Sequence, residues 1–268
     1  MASLRVSAWG RLSSSSEPRK AIAAQIRIGT SGWHYKHWRD CFYPDKLAST
    51  EYLTWYAKHF NTVEINNCFY RLPTESAVEN WRRETPRDFC FAVKASRLIT
   101  HMKRLRDAET ALITYLDRME LLNRKLGPIL FQLPPNWHVS LERLEEFLGV
   151  LKKRQHQSVF EFRDPTWYAE PVYQLLRRAQ VALCIHDWGA QGSPRELTAD
   201  FTYVRFHGTS GRYGGSYTQE MLRTWADQIS EWVPRLARIY VYFNNDQQGH
   251  AVKNAQVLEG LLEKNRRW

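Results

Sequence analysis

The chain has 268 residues, of which 43% are hydrophobic, so it can form one large or two small globular domains and is not a disordered protein. No apolar stretch approaches the roughly 18 residues that a membrane-spanning helix needs, so we expect neither a transmembrane segment nor a membrane partner. The net charge of +10 favours anionic partners, although charge spread over helix faces for solubility would give the same sum.

The N-terminal 25 residues are rich in serine, alanine and basic residues and lack the apolar core of a secretory signal. We expect residues 1–25 to be a disordered extension and residues 26–268 to form a single domain. The four cysteines have neither a zinc-site spacing nor the density of a disulfide scaffold. They indicate reduced thiols in a cytoplasmic protein, and Cys90 and Cys184, inside apolar segments, are expected in the core.

From residue 26 onward, strand-like segments rich in Val, Ile, Phe and Tyr alternate with helix-like segments. The predicted strands are 26–30, 62–66, 89–95, 128–134, 158–164, 182–188, 202–208 and 239–246. The predicted helices include 50–60, 74–84, 108–125, 140–154, 218–233 and 254–264. Eight strands alternating with helices in a chain of this length predict an α/β fold, the (β/α)8 or TIM barrel.

One interval of the chain departs from the ideal barrel pattern. Only residues 188–200 separate the sixth and seventh strands, so the helix between them is predicted to be short or missing. The alternative fold is an open doubly wound sheet, which usually carries a glycine-rich phosphate loop after its first strand. Residues 29–33, GTSGW, do not match that loop, and no Walker A motif is present.

Each predicted strand has an apolar face and a polar face, because side chains alternate along a strand. The apolar faces should meet the helices, so the polar faces should point into the barrel near its C-terminal mouth, where barrel enzymes place their active sites. On the sixth strand we expect His186 and Cys184 to face the helices and Asp187 to point inward. The inward polar set is Glu64, Lys94, Gln132, Glu161, Arg163, Arg205, His207 and Asn244.

Three members of this set are candidate catalytic residues: Glu64, Glu161 and His207. Two carboxylates act as general acid and base when their surroundings separate their pKa values, and a histidine can shuttle a proton, as in a hydrolase or lyase. Alternatively, the two carboxylates only hold the arginines in place. The candidate substrate-binding residues are Trp33, Asn66, Tyr70, Lys94, His101, Gln132, Arg163, Asp187, Arg205, Tyr242 and Asn244.

The charges of the inward set favour an anionic ligand. Lys94, Arg163 and Arg205 outnumber the two glutamates, and arginines bind phosphate or carboxylate in a bidentate manner. The same cations would repel a metal cluster, so we expect no metal site and no cofactor, with a single Mg²⁺ shared between carboxylates and a substrate phosphate as the alternative. The basic segment 102–106, MKRLR, is a candidate contact for backbone phosphates.

A series of motifs in this chain resembles the YecE-like family, named domain of unknown function 72. They include GTSGWHYKHW (29–38), VEINNCFYRLP (63–73), LGPILFQLPP (126–135), EFRDPTW (161–167) and YVYFNND (240–246). The resemblance extends from about residue 26 to the C terminus. It implies a TIM barrel and leaves the activity open.

Three functions therefore compete. The first is an enzyme acting on a phosphate-bearing or nucleic-acid-like substrate at an anion-accepting pocket. The second is a non-catalytic protein that binds nucleic acid or another anionic ligand. The third is a small-sugar isomerase or a glycosidase-type enzyme, which would need a divalent metal or two suitably separated carboxylates.

Overall fold

The computed structural model describes residues 24–188, 192–210 and 213–265. Most of the expected N-terminal extension, residues 1–23, lies outside the described residues. Gln25 already belongs to the first strand, so the barrel begins one residue earlier than predicted.

Eight parallel strands and seven α-helices make up the domain within the described residues. The strands are β1 Gln25–Thr30, β2 Thr62–Ile65, β3 Cys90–Lys94, β4 Leu126–Gln132, β5 Ser158–Glu161, β6 Ala182–His186, β7 Phe201–Phe206 and β8 Arg238–Phe243. The helices are α1 Tyr52–Tyr56, α2 Glu75–Arg83, α3 Glu109–Glu120, α4 Leu141–Lys152, α5 Glu170–Ala179, α6 Gln219–Trp232 and α7 His250–Asn265.

The strands pair in the order β1-β8-β7-β6-β5-β4-β3-β2. The gap between β1 and β2 is closed just beyond the end of β1, where Ser31 forms a parallel bridge with Glu64. The Gly32 N–H donates to the Glu64 carbonyl at 2.8 Å. This arrangement confirms the predicted TIM barrel.

The connection between β6 and β7 contains no helix in its described part, as predicted. Thr198 fixes this extended segment to the start of β6. Its hydroxyl donates to the Val181 carbonyl at 2.7 Å and accepts from the Leu183 N–H at 2.8 Å. Helix α5, which the sequence analysis did not name, covers the interval between β5 and β6.

Several predicted strands extend too far at their C-terminal ends. Strand β5 ends at Glu161 because Asp164 starts a 3-10 turn, its side chain accepting a hydrogen bond from the Thr166 N–H at 3.0 Å. Turns of this kind form the loops at the barrel mouth. The residues that follow the strands are therefore held by local turns as well as by the sheet.

The core has two layers. The outer layer lies between strands and helices and includes the apolar faces predicted for β2, β3, β4 and β5. The inner layer fills the barrel and includes Leu130, Val159, Cys184, Tyr203 and Tyr242. The polar set therefore lies inside an otherwise packed barrel.

The predicted orientation of β6 is wrong. Leu183 and Ile185 belong to the outer layer, whereas Cys184 belongs to the inner layer. His186 lies on the inner side with Cys184, and its ring centroid is 6.0 Å from that of His207. The prediction placed Cys184 outward as an apolar residue. The larger Leu183 and Ile185 bury more apolar area against the helices, and this area determines the orientation.

Candidate active site at the barrel mouth

Arg205 of β7 is the centre of the polar network inside the barrel. Its Nη2 donates to Glu64 Oε1 at 2.8 Å, and its Nη1 donates to Glu161 Oε2 at 2.6 Å. The side chains of all three residues are at most 1% exposed. Charged groups this deeply buried require partners of opposite charge. Arg205 is the partner of both glutamates, and the two glutamates are the partners of Arg205.

Glu64 has further donors from the residue that follows β1 and from β7. Ser31 Oγ donates to Oε1 at 2.6 Å, and Tyr203 Oη donates to Oε2 at 2.6 Å. Burial alone would raise the pKa of Glu64, but Arg205 and these hydrogen bonds outweigh it and lower the pKa. Burial is likewise outweighed at Glu161, whose pKa is held well below its usual range by Arg163 and Arg205. Both carboxylates are therefore ionised.

Arg163 follows β5 and lies above this network. Its Nη2 forms an ion pair with Glu161 Oε1 and contacts His207 Nε2 at 3.0 Å. The guanidinium carbon lies 4.5 Å from the ring centroid of Trp188. The Nε and Nη1 atoms are buried and have no hydrogen-bond partner among the described residues. Arg163 therefore has two nitrogens at the barrel mouth, Nε and Nη1, whose N–H groups are not used within the described structure.

His207 connects the two arginines to Asp187. Its backbone N–H donates to Asp187 Oδ1 at 2.8 Å, and its Nδ1 lies 3.3 Å from the same oxygen. Because Nε2 faces N–H groups of Arg163 and Arg205, it is the acceptor and the proton is assigned to Nδ1. Burial, reinforced by the two guanidiniums and opposed by Asp187, lowers the pKa of His207 to about 4. The ring is neutral at pH 7.

Lys94 ends β3 at the same mouth and is half-buried. Its Nζ lies 4.3 Å from the centroid of the Phe69 ring, and His101 packs edge-on against that ring at 4.9 Å. Burial, together with the nearby arginine charges, lowers the pKa of Lys94 to about 8. Burial and the Lys94 charge lower the pKa of His101 to about 4.

The remaining predicted site residues differ in their surroundings. Gln132 and Asn66 are half-buried at the ends of β4 and β2, and Asn66 Oδ1 is buried without a partner in the described chain. Asn244 lies just beyond β8, where it is 8% exposed. Tyr70 is 74% exposed.

Three of the expected substrate-binding side chains are packed inside the protein. Trp33 is 8% exposed in the outer core, where it lies edge-on against Trp81 at 5.7 Å. Tyr242 belongs to the inner layer and shares a 2.7 Å hydrogen bond with Thr62. Arg205 has both terminal nitrogens on carboxylates. These three side chains are buried beneath the site and support the residues above them, so they do not line its solvent-facing surface.

Sequence reasoning missed Ser31 and Tyr203 as parts of the site. Tyr203 lies on the same face of β7 as Arg205, but an aromatic side chain on that face does not by itself indicate a hydrogen bond to a carboxylate. Ser31 lies one residue beyond β1, where strand alternation no longer predicts direction. The signal that could have identified both is the need of a fully buried Glu64 for further donors.

The described residues contain neither a cluster of metal ligands nor a membrane-spanning helix. In residues 24–188, 192–210 and 213–265, no three His, Cys, Asp or Glu side chains are grouped as ligands for a metal ion. Nor does this part of the chain contain a helix that is both long and apolar enough to cross a membrane. All four cysteines carry free thiols, and Cys68, Cys90 and Cys184 are buried.

Known proteins resemble this chain over most of its length. The family model described as "Protein of unknown function DUF72" matches residues 27–268. The UPF0759 protein YunF of Bacillus subtilis is 30% identical over 89% of this chain and 95% of its own length. The UPF0759 protein YecE of Escherichia coli K12 is 34% identical over 77% of this chain and 82% of its own.

Solved structures agree with these sequence matches. A DUF72 family protein from Thermotoga maritima superposes with a TM-score of 0.80 and 29% identity, covering 89% of this chain and 99% of that one. D-psicose 3-epimerase from Clostridium cellulolyticum superposes with a TM-score of 0.54 at 10% identity, covering 90% and 98%, a likeness of fold alone. The protein described here therefore belongs to the DUF72 family, the YecE-like TIM-barrel proteins.

Proposed function

We propose that the barrel mouth is an anion-accepting active site and that the protein is an enzyme acting on a small, phosphate-bearing substrate. The observation that carries this proposal is Arg163, a side chain 6% exposed whose Nε and Nη1 lack partners in the described structure. Buried guanidinium N–H groups are costly to leave unpaired, and phosphate oxygens fit their planar geometry.

The pairing of the charges supports the same proposal. Glu64 and Glu161 are paired with Arg163 and Arg205, and the third carboxylate of the site, Asp187, accepts hydrogen bonds from His207 and Tyr217. Lys94 makes no ion pair with a carboxylate among the described residues, because Glu64 and Glu161 are engaged by the arginines. A ligand phosphate would give Lys94 the ion-pair partner that the described residues do not provide.

The pKa shifts of the carboxylates disfavour glycosidase-type chemistry. Such enzymes need one carboxyl group whose pKa is raised enough to donate a proton. Glu64 and Glu161 instead both have lowered pKa values and are bound to the same guanidinium. This favours the interpretation in which the two glutamates hold the arginines in position.

A nucleic acid is the second candidate ligand, because a basic surface depression of about 610 Å³ lies beside the mouth. It adjoins His101, which packs on the same phenylalanine ring as Lys94. Backbone phosphates could follow such a surface. Its lining is His101, Met102, Lys103, Arg104, Arg106, Asp107 and Arg143.

The test is a thermal-shift series with phosphate, sulfate, a hexose phosphate, and short single- and double-stranded DNA, with the free hexose as the neutral ligand. A saturating ligand that binds only the folded protein adds about 2.7 kcal/mol at a hundredfold excess over Kd, which is about 5 °C in Tm for a chain of this size. We expect the hexose phosphate to produce such a rise and Arg163→Gln to remove it.

A matched control is Arg178→Gln, which removes an exposed arginine paired with Glu145 and should leave the rise unchanged. A Tm shift from the free hexose alone would overturn the proposal. A shift from DNA alone, steeply reduced by salt and insensitive to Arg163→Gln, would favour the nucleic-acid ligand instead.

A further inference from the structure

Lys94 differs from a lysine that serves only as a positive charge. It ends β3 at the mouth of the barrel, half-buried, and its Nζ lies on the face of the Phe69 ring at 4.3 Å. The backbone at this point is fixed, since the Lys94 carbonyl accepts a hydrogen bond from Tyr115 Oη at 2.9 Å. The amine therefore lies against an aromatic ring at the barrel mouth, with no ion-pair partner among the described residues.

We propose that Lys94 is a nucleophile that forms an imine with the carbonyl carbon of a small aldehyde or ketone whose anionic group is bound by Arg163. This inference rests on the proposed function for the anionic group, but not for the reaction at the lysine. Lysines become nucleophiles in proteins when they are desolvated or placed beside other cations. Lys94 meets both conditions.

The charges around Lys94 come from four elements. Glu64 of β2 and Glu161 of β5 favour its ammonium form, whereas Arg205 of β7 and Arg163 after β5 oppose it. Since both carboxylates are bound to arginines, burial and the two guanidiniums prevail and lower the pKa of Lys94 to about 8. Relative to an ordinary lysine, a larger fraction of the amine is then neutral at pH 7.

The contacts of the amine with Phe69 and, beyond it, His101 do not raise the pKa of Lys94 back to that of an ordinary lysine. The Phe69 ring favours the ammonium ion through its π-electrons, but His101 beyond it is neutral at pH 7 because its own pKa is lowered to about 4. No carboxylate among the described residues pairs with Nζ from this side. The lysine can therefore lose its proton without breaking an ion pair.

The reaction balances without an oxidant or a reductant. The neutral Lys94 amine adds to the carbonyl carbon, and a C–N bond forms while the carbonyl π-bond moves to oxygen. The carbinolamine then loses that oxygen as water, whose two hydrogens are the former amine hydrogens. An imine, with a C=N bond to Lys94, remains. Protonated, this imine withdraws electrons from the neighbouring carbon, which permits bond cleavage or proton loss there, in keeping with a lyase.

The test is reductive trapping of the full-length protein with sodium cyanoborohydride, using glyceraldehyde phosphate as the anionic probe and glyceraldehyde as the neutral one. Peptide mass spectrometry compares Lys94 with Lys253, an exposed lysine of α7, in the same sample. We expect Lys94 to be modified at least tenfold faster than Lys253 at pH 7.5 with the anionic probe, and this excess to fall as pH rises toward 10. Lys94→Arg should lose this adduct and still show the phosphate-induced rise in Tm.

The outcomes separate the two proposals. Equal modification of Lys94 and Lys253, or none at Lys94, would overturn the imine proposal even if phosphate still raises Tm. Fast trapping by both probes alike, with no effect of Arg163→Gln, would support the nucleophile and overturn the anion-binding role. Fast trapping of the anionic probe that Arg163→Gln abolishes would support both.

Discussion

Glu64 of β2 and Glu161 of β5 bind the same guanidinium from two sides of the barrel. Arg205 donates to Glu64 at 2.8 Å and to Glu161 at 2.6 Å, and all three side chains are buried. Removing the Arg205 guanidinium therefore takes a hydrogen-bonded cation from both carboxylates at once. The stability of the barrel interior therefore depends on one side chain.

Arg205→Met should destabilise the fold by about 3–5 kcal/mol, because it leaves Glu64 buried without a counter-ion and Glu161 with Arg163 alone. Urea unfolding followed by circular dichroism measures this change. In a Glu64→Gln, Glu161→Gln background the same substitution should cost far less. An equal cost in both backgrounds would contradict the coupling of the three charges.

Tyr203→Phe should cost about 1–3 kcal/mol, because Glu64 Oε2 loses the 2.6 Å hydrogen bond that satisfies it in the barrel interior. The matched control is Tyr240→Phe, which removes a 2.9 Å hydrogen bond to the neutral Gln157 and should cost about 0.5–1.5 kcal/mol. If the two substitutions cost the same, Tyr203 does not stabilise the ionised carboxylate. Parallel urea titrations of the two variants give the comparison.

The free energy of unfolding should fall as pH drops from about 6.5 to about 4, because the folded protein keeps His207 neutral while the unfolded chain binds a proton. The stabilisation is present above the unfolded pKa and is lost as pH falls toward the folded pKa. Below about pH 4.5 the lowered pKa values of Glu64 and Glu161 add a loss of the same sign.

Chemical denaturation at several pH values between 4 and 7 tests this dependence. His207→Gln should reduce the slope between pH 6.5 and 4, with His101 and His186, whose pKa values are also lowered, supplying the remainder. The exposed His59→Gln should leave the slope unchanged. A His207→Gln protein with the wild-type slope would show that another group is responsible.

Gly29→Ala should destabilise the fold by about 1–3 kcal/mol, because a Cβ at this position of β1 would lie 2.3 Å from the Thr62 carbonyl oxygen. Gly149→Ala provides the control, since a Cβ there meets nothing within 4 Å and alanine favours helix α4 by up to about 1 kcal/mol. Differential scanning calorimetry should therefore show opposite shifts. A shift of the same sign in both would contradict close packing at the β1–β2 closure.

The sequence allowed the fold to be predicted in detail because the strands are short, β-branched and separated by capped helices. Alternation also located Glu64, Glu161 and Arg205 on the inner face. It did not predict which charges pair, since Glu64 and Arg205 are 141 residues apart and meet only through barrel closure. It failed at His186 because the small, apolar Cys184 on the same face does not indicate which way the strand is turned, whereas the larger Leu183 and Ile185 direct the other face toward the helices.

The counter-ion of Glu64 has a consequence for how the chain can be made. During synthesis, β2 emerges long before β7, and a nascent chain that ends before Tyr203 would have to bury Glu64 with only Ser31 as its donor. An unpaired buried carboxylate costs several kcal/mol, comparable with the whole stability of a half-barrel. The first strands therefore cannot reach their final packing until the chain through Arg205, about three quarters of the protein, has left the ribosome.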